Sequence, residues 1–174
     1  MSEAKALLVA HQIMALRRPN DLIVVSIHWG ANWGYRVPDE QRKFAHTLID
    51  KAGVSIIHGH SSHHPRPIEI YRDRLILYGC GDFLNDYEGI PGHERYRDDL
   101  ALMYFADLDP TGGCLQALEL VPLQIKNFRL SIPSQRDIEW IQQTLGRECR
   151  RFGTRVLLEP GGQLAVAGRP LGDI

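Results

Sequence analysis

The sequence has little cysteine. Its 174 residues include three, Cys80, Cys114 and Cys149, too few and too widely spaced for a CxxC pair or a disulfide framework. That excludes a small secreted scaffold held by bridges and points to a reducing compartment. Charge of one sign is equally scarce, since 20 Lys and Arg against 21 Asp and Glu leave a formal net charge of −1. There is therefore no electrostatic case for nucleic acid or an anionic membrane as partner. No apolar run approaches the roughly 20 residues of a membrane helix. The first residues, MSEAK, lack a basic stretch followed by an apolar one, so no signal peptide is read and a cytoplasmic location is expected. Several catalytic fingerprints are missing too: HExxH, the P-loop and the GxSxG elbow. Gly79-Cys80-Gly81-Asp82 lacks the third glycine and following helix of a dinucleotide turn.

What is present suits one domain with a real core, a mixed α/β arrangement. Residues 3–17 carry Leu7, Leu8, Ile13, Met14 and Leu16 at helical spacing, with basic residues at the end to suit the helix dipole. Pro19 and Asn20 break that helix, and the apolar residues 22–27 read as a strand buried on both faces. Pro38, Asp39 and Glu40 open a second helix that Gly53 stops near Ala52. A second buried strand runs from Val54 to His58, which makes a βαβ unit with parallel strands. Hairpins follow at 68–78 and 155–166, strands at 100–108 and 115–125, a helix capped by Ser134, and a long polar loop over 82–97.

Histidine carries the chemistry. His58, His60, His63 and His64 fall within seven residues, and His28 closes the preceding strand. Both groups sit where a buried strand gives way to a glycine-containing loop. Side chains leaving adjacent strand ends converge on one edge of a sheet, where open α/β sheets hold their ligands. Neutral imidazole is the commonest metal ligand, so His28, His60 and His63 are expected to approach one another at a divalent ion such as manganese, iron or zinc. His58 reads as a hydrogen-bonded neighbour of that site, and His64 as a solvent-exposed residue. Arg66, Arg95 and Arg97 are the guanidinium groups that could meet an anionic substrate. Asp82 and Asn85, in the polar loop, could support the site or lie on a charged surface.

Four segments together resemble a known family: DLIVVSIHWG at 21–30, IHGHSSHHP at 57–65, PIEIY at 67–71 and LYGCGDF at 77–83. They are similar to the bacterial capsule synthesis proteins, the CapA family of poly-γ-glutamate capsule biosynthesis, over roughly residues 5–160. The resemblance implies a calcineurin-like metallophosphoesterase fold, a layered sheet with flanking helices, and a link to a polyanionic surface polymer. It implies that His28 and His60 bind one metal and His63 a second, with Glu69 in support. Asp82 stands where that family commonly has Asn. The bridging aspartate and the Asn-His segment that the superfamily places before the His-Trp-Gly strand have no counterpart here. The expectation is therefore the C-terminal portion of a single CapA-like domain over 1–174, with an incomplete metal site and phosphoesterase-like chemistry only if completed. A partner or second copy would supply the remaining half. Two other readings stand beside it: a non-catalytic metal-binding or assembly remnant, and a mononuclear zinc hydrolase using the same three histidines.

Overall fold

The computed structural model describes residues 1–87 and 89–168. Its elements are helix α1 (Glu3–Leu16), strand β1 (Val24–His28), helix α2 (Asp39–Ala52) and strands β2 (Ile56–His60), β3 (Ile68–Tyr71) and β4 (Arg74–Leu77). Then come β5 (Leu100–Leu108), β6 (Leu115–Lys126), β7 (Arg129–Ser131), α3 (Gln135–Cys149), β8 (Arg155–Leu158) and β9 (Leu164–Ala167). The first sheet has the order β1-β2-β4-β3, with β1, β2 and β4 parallel and β3 antiparallel to β4. The second is antiparallel, β5-β6-β9-β8, with β7 paired to β6. The expected βαβ unit is β1-α2-β2, and the fold class is a mixed α/β one.

Local chemistry explains the boundaries. α1 begins at Ser2, whose hydroxyl accepts from the Lys5 amide, and α3 begins at Ser134, which accepts from Asp137. α2 ends at Gly53, whose left-handed φ of 64° closes the last turn. The Arg17 side chain donates to the Ala52 carbonyl and satisfies one of the carbonyls left over there.

Two cores sit on opposite faces of the first sheet. On one, Ala45, Leu48, Ile49 and Ala52 of α2 pack with Ala6 and Ala10 of α1 against Ile57, Ile76 and Tyr78. On the other, Ile68, Leu75 and Leu77 pack with the second sheet and α3, through Leu100, Leu120, Ile141, Leu145 and Leu164. Of the expected stripe on α1, Ile13 packs against the first of these cores while Leu7, Leu8, Met14 and Leu16 are exposed. The buried residues of the helix are Ala6 and Ala10, whose small side chains permit a close approach, with Val9 beside them. Its last turn holds no basic residue, since Arg17 is already beyond it.

β1 departs from expectation as well. It is an edge strand whose side chains alternate between exposed and half-buried, and Val24 is 55% exposed. Both N-terminal helices cover one face of the sheet, while the second sheet packs over the β3–β4 end of the other. The β1–β2 end of that second face stays open.

One glycine fixes how these strands sit. Trp29, just past β1, lies across Gly59 of β2 and donates its indole N–H to the Tyr78 carbonyl past the end of β4, at 3.2 Å. A Cβ at Gly59 would lie 2.6 Å from the Leu77 carbonyl oxygen and collide with the Trp29 indole. Gly59 is therefore a packing requirement.

Candidate functional site

The parallel register of β1 and β2 aligns Ser26 with His58 and His28 with His60. Alternation along each strand then sends Ser26, His28, His58 and His60 to the open face. The His28 and His60 rings lie 5.3 Å apart between centroids, and His58 and His60 lie 5.7 Å apart. The His58 Nδ1 is 3.0 Å from the Ser26 hydroxyl. Burial, and then the neighbouring His60, push His58 below the ordinary imidazole range. Beneath this row lies an apolar groove of about 460 Å³ lined by Val24, Ile56 and Leu77 of one sheet and Leu102 and Met103 of the other. Phe83 closes one side.

His63 is placed differently. Ser61, with φ of 131°, turns the chain after β2, and the His63 amide donates to the Asn32 carbonyl. Its Nδ1 lies 3.0 Å from Asp82 Oδ2 and 3.1 Å from the Tyr87 hydroxyl. Asp82 Oδ2 also accepts from Asn85 at 3.2 Å and from Tyr87 at 2.7 Å. Asp82 thus contacts His63 directly, and Asn85 reaches it only through Asp82. The ring of Trp33 lies against His63 and stacks on His93 at 4.0 Å.

His64, expected at the surface, is fully buried. Tyr96 stacks on it at 4.6 Å and Tyr35 meets it edge-on at 4.7 Å. Its Nε2 accepts the Gly34 amide and its Nδ1 faces the Pro65 carbonyl, both at 3.0 Å. It pins the loop that follows β1. Arg66 is corrected in the same sense: at 1% exposure it donates to the Arg36 carbonyl inside the fold and cannot meet a substrate in solvent. Arg97 is committed to Asp99 and Asp137, and Arg95 lies over the Tyr96 ring. Glu69 is buried and receives Arg42, His46 and the Tyr78 hydroxyl, so it anchors α2 to the sheet. The signal for Tyr87 and Trp33 was weak in the sequence, because aromatics in irregular loops follow no period that places their rings.

The donor set tests whether a resident metal fits. His28 and His60 come together, and His63 makes its contacts with Asp82, Tyr87 and Trp33. No cluster of three His, Cys, Asp or Glu able to hold an ion occurs among the described residues. Two neutral imidazoles fall short of the three or four donors of a protein-bound transition metal and provide no carboxylate charge. The residues present do not by themselves fit the group.

Comparison with known proteins was made on this geometry. Residues 2–87 match the family described as bacterial capsule synthesis protein PGA_cap. A Mycobacterium tuberculosis protein named probable polyglutamine synthesis accessory protein is 52% identical over 158 residues, 91% of this chain and 41% of its own length. The PGA biosynthesis protein CapA of Bacillus subtilis is 34% identical over 113 residues, 65% of this chain and 27% of that protein. The capsule biosynthesis protein CapA of Bacillus anthracis is 32% identical over 106 residues, covering 61% and 24%. The chain thus spans less than half the length of these curated relatives.

Proposed function

Because the chain belongs to the bacterial capsule synthesis (CapA) family, we propose that it serves synthesis of a polyanionic surface polymer of the poly-γ-glutamate type. In this reading it contributes the histidine-bearing portion of a cation-directed site. The observation that carries the reading is the His28–His60 pair on an open sheet face, 5.3 Å between ring centroids. The remaining donors come from outside these residues, through other family sequence or a partner. Divalent-ion titration calorimetry on the purified chain tests it. Manganese or zinc binds weakly and below stoichiometry, His60→Ala removes the binding, and His11→Ala, on α1, leaves it unchanged. Phosphodiester turnover by the chain alone stays near background. Tight stoichiometric binding that survives His60→Ala would sink the reading.

The open groove supports a second part of the proposal. Among the described residues β1 and β5 each end a sheet with an unpaired edge, and Val24, Phe83, Met103 and Phe105 are exposed. Unpaired edges beside apolar surface favour association. The occupant proposed is the part of the family protein that these 174 residues do not match, supplying strands and apolar side chains. Kept apart from it, the chain self-associates and binds a dye for apolar surface, and Val24→Lys combined with Met103→Lys returns it toward a monomer. Light scattering that finds a stable, dye-silent monomer for the unsubstituted chain counts against this part.

A further inference from the structure

One region on the helix-covered face of the first sheet gathers positive charge that the fold leaves unneutralised. Arg66 is buried, and its Nε and Nη1 have no hydrogen-bond partner. Its Nη2 donates to the Arg36 carbonyl, and Arg151 Nη2 donates to the Tyr35 carbonyl next to it in the chain. Two guanidinium groups thus hold consecutive carbonyls of one loop. Burial, and then the charge of Arg151, lower Arg66 from the ordinary arginine range. Arg151 also lies over the Phe152 ring, 5.2 Å from its centroid, and Arg42 of α2 lies over the same ring at 5.5 Å. Gln41, the buried residue before Arg42, leaves both of its amide atoms unpartnered. A Cβ on Gly30 would meet Arg66 Nη1 at 2.6 Å and Gln41 Nε2 at 3.2 Å, so these unused donors lie together.

The carboxylates at hand are shared. Glu69 takes Arg42 together with His46 and Tyr78. Glu148 lies 3.0 Å from Arg147 and 3.6 Å from Arg151, the second beyond hydrogen-bonding reach. Asp39 acts on Arg42 through its charge. None of the three is an ion-pair partner of Arg66. A buried cation without a counter-ion is costly, and low-dielectric surroundings carry its field to the surface beside it. Arg42 and Arg151 meet that surface with side chains 45% and 42% exposed.

We propose that Arg42, Phe152 and Arg151 form a docking strip for a chain of spaced carboxylates, a polymer of the poly-γ-glutamate type, with buried Arg66 strengthening its field. Two guanidinium groups sharing one ring present charge beside apolar surface. That pattern complements carboxylates separated by methylene groups, with the methylenes on the ring and each carboxylate on a planar fork of donors. A compact single anion would engage a guanidinium and leave the ring bare. Phe152 packs with the α1–α2 core, so the strip is separate from the histidine row on the other face. The name of the polymer rests on the surface-polymer reading above, while the capture of spaced carboxylates rests on these residues.

Titration calorimetry of the 174-residue chain with a poly-γ-glutamate oligomer, at low salt and with a chelator present, tests it. Binding is expected, and added salt weakens it. Arg151→Glu weakens it about 10-fold, by removing an attraction and adding a repulsion. Arg151→Gln keeps a donor for the Tyr35 carbonyl and weakens binding about 3-fold, which serves if the glutamate variant does not fold. Arg129→Glu makes the same charge change on β7 and leaves binding within about 2-fold of the parent. A folded parent chain that binds no oligomer overturns the proposal. An equal loss in Arg129→Glu also overturns it, since net charge alone would then explain the attraction. Inorganic phosphate, at the same concentration as the oligomer's carboxylates, is expected to leave the oligomer bound, and displacement would overturn the polymer as occupant. His60→Ala should bind the oligomer as the parent does. Loss of divalent-ion binding with oligomer binding retained therefore tells against the cation-directed site alone.

Discussion

Replacing Glu69 with alanine is expected to lower the thermal midpoint by roughly 6–12 °C, which corresponds to about 3 kcal/mol at 2–4 °C for each kcal/mol in a chain of this size. The carboxylate is 2% exposed. Burial alone pushes Glu69 up, but hydrogen bonds from His46, Tyr78 and Arg42 and the nearby charge outweigh it and leave the group below the ordinary carboxylate range. Removing it strands the Tyr78 hydroxyl in a fully buried position, 2.6 Å from an acceptor that no longer exists. It also frees Arg42 and His46 of α2 from β3. Breaking a buried pair on one side costs about 3–5 kcal/mol, and the lower end applies because the Arg42 side chain is 45% exposed. Denaturant unfolding measures the loss. A cost below about 1 kcal/mol would mean that water replaces the carboxylate and that the α2 anchor lies elsewhere.

The second large effect is one of pH. Burial among aromatic rings pushes His64 down to about 4 from the ordinary 6.5. The unfolded chain takes up a proton at His64 as pH falls through 6.5, and the folded chain refuses it until about pH 4. Across that window the unfolded state binds more protons, so stability falls as pH falls. The contribution is fully present above pH 6.5 and is lost by about pH 4, and lowering the group from 6.5 to about 4 corresponds to about 3 kcal/mol. His58, also pushed down by burial, adds to the same slope. The carboxylate of Glu69 acts in the same sense but at lower pH, since its stabilisation is lost only as pH falls below the ordinary carboxylate value. Unfolding curves from pH 7.5 to 4.5 should therefore slope steeply for the parent chain. His64→Gln should be less stable at pH 7.5 yet flatter between 6.5 and 5. Parallel slopes for the two chains would assign the acid sensitivity to other groups.

Much of the fold was legible because its elements are locally marked. Ser134 and Gly53 punctuate helices through capping chemistry that acts within a few residues, and Pro38 does so through its fixed φ of −62°. The hairpin at 72–73 follows from a turn between two apolar runs, and both of its residues take positive φ. β7 was not legible, since three residues cannot show a period. The open face of β1 was hidden for a different reason. Residues 22–27 look alike whether both faces are covered or one, because burial of a strand is decided by which distant elements reach it. The same non-local logic misassigned the packing face of α1, where Ala6, Ala10 and Ile13 pack while the leucines do not. At the site, the row of His28, His58 and His60 follows directly from strand alternation and parallel register. His63 and His64 lie beyond the strand, where a single turn at Ser61 decides which of two adjacent imidazoles is buried. No pattern in the sequence encodes that turn, and Arg66 was misread for the same reason.

Gly59 and Trp29 separate two kinds of inheritance. The indole crosses β2 only because Gly59 has no side chain, and its N–H ties the end of β1 to Tyr78. A relative without the cation chemistry proposed above would still have to keep both residues to assemble this sheet, while His28 and His60, on the open face, would be free of that requirement. Retention of tryptophan and glycine in the His-Trp-Gly and Gly-His segments is thus a record of folding. Under the cation-directed reading proposed above, the histidines beside them are the residues that would record activity.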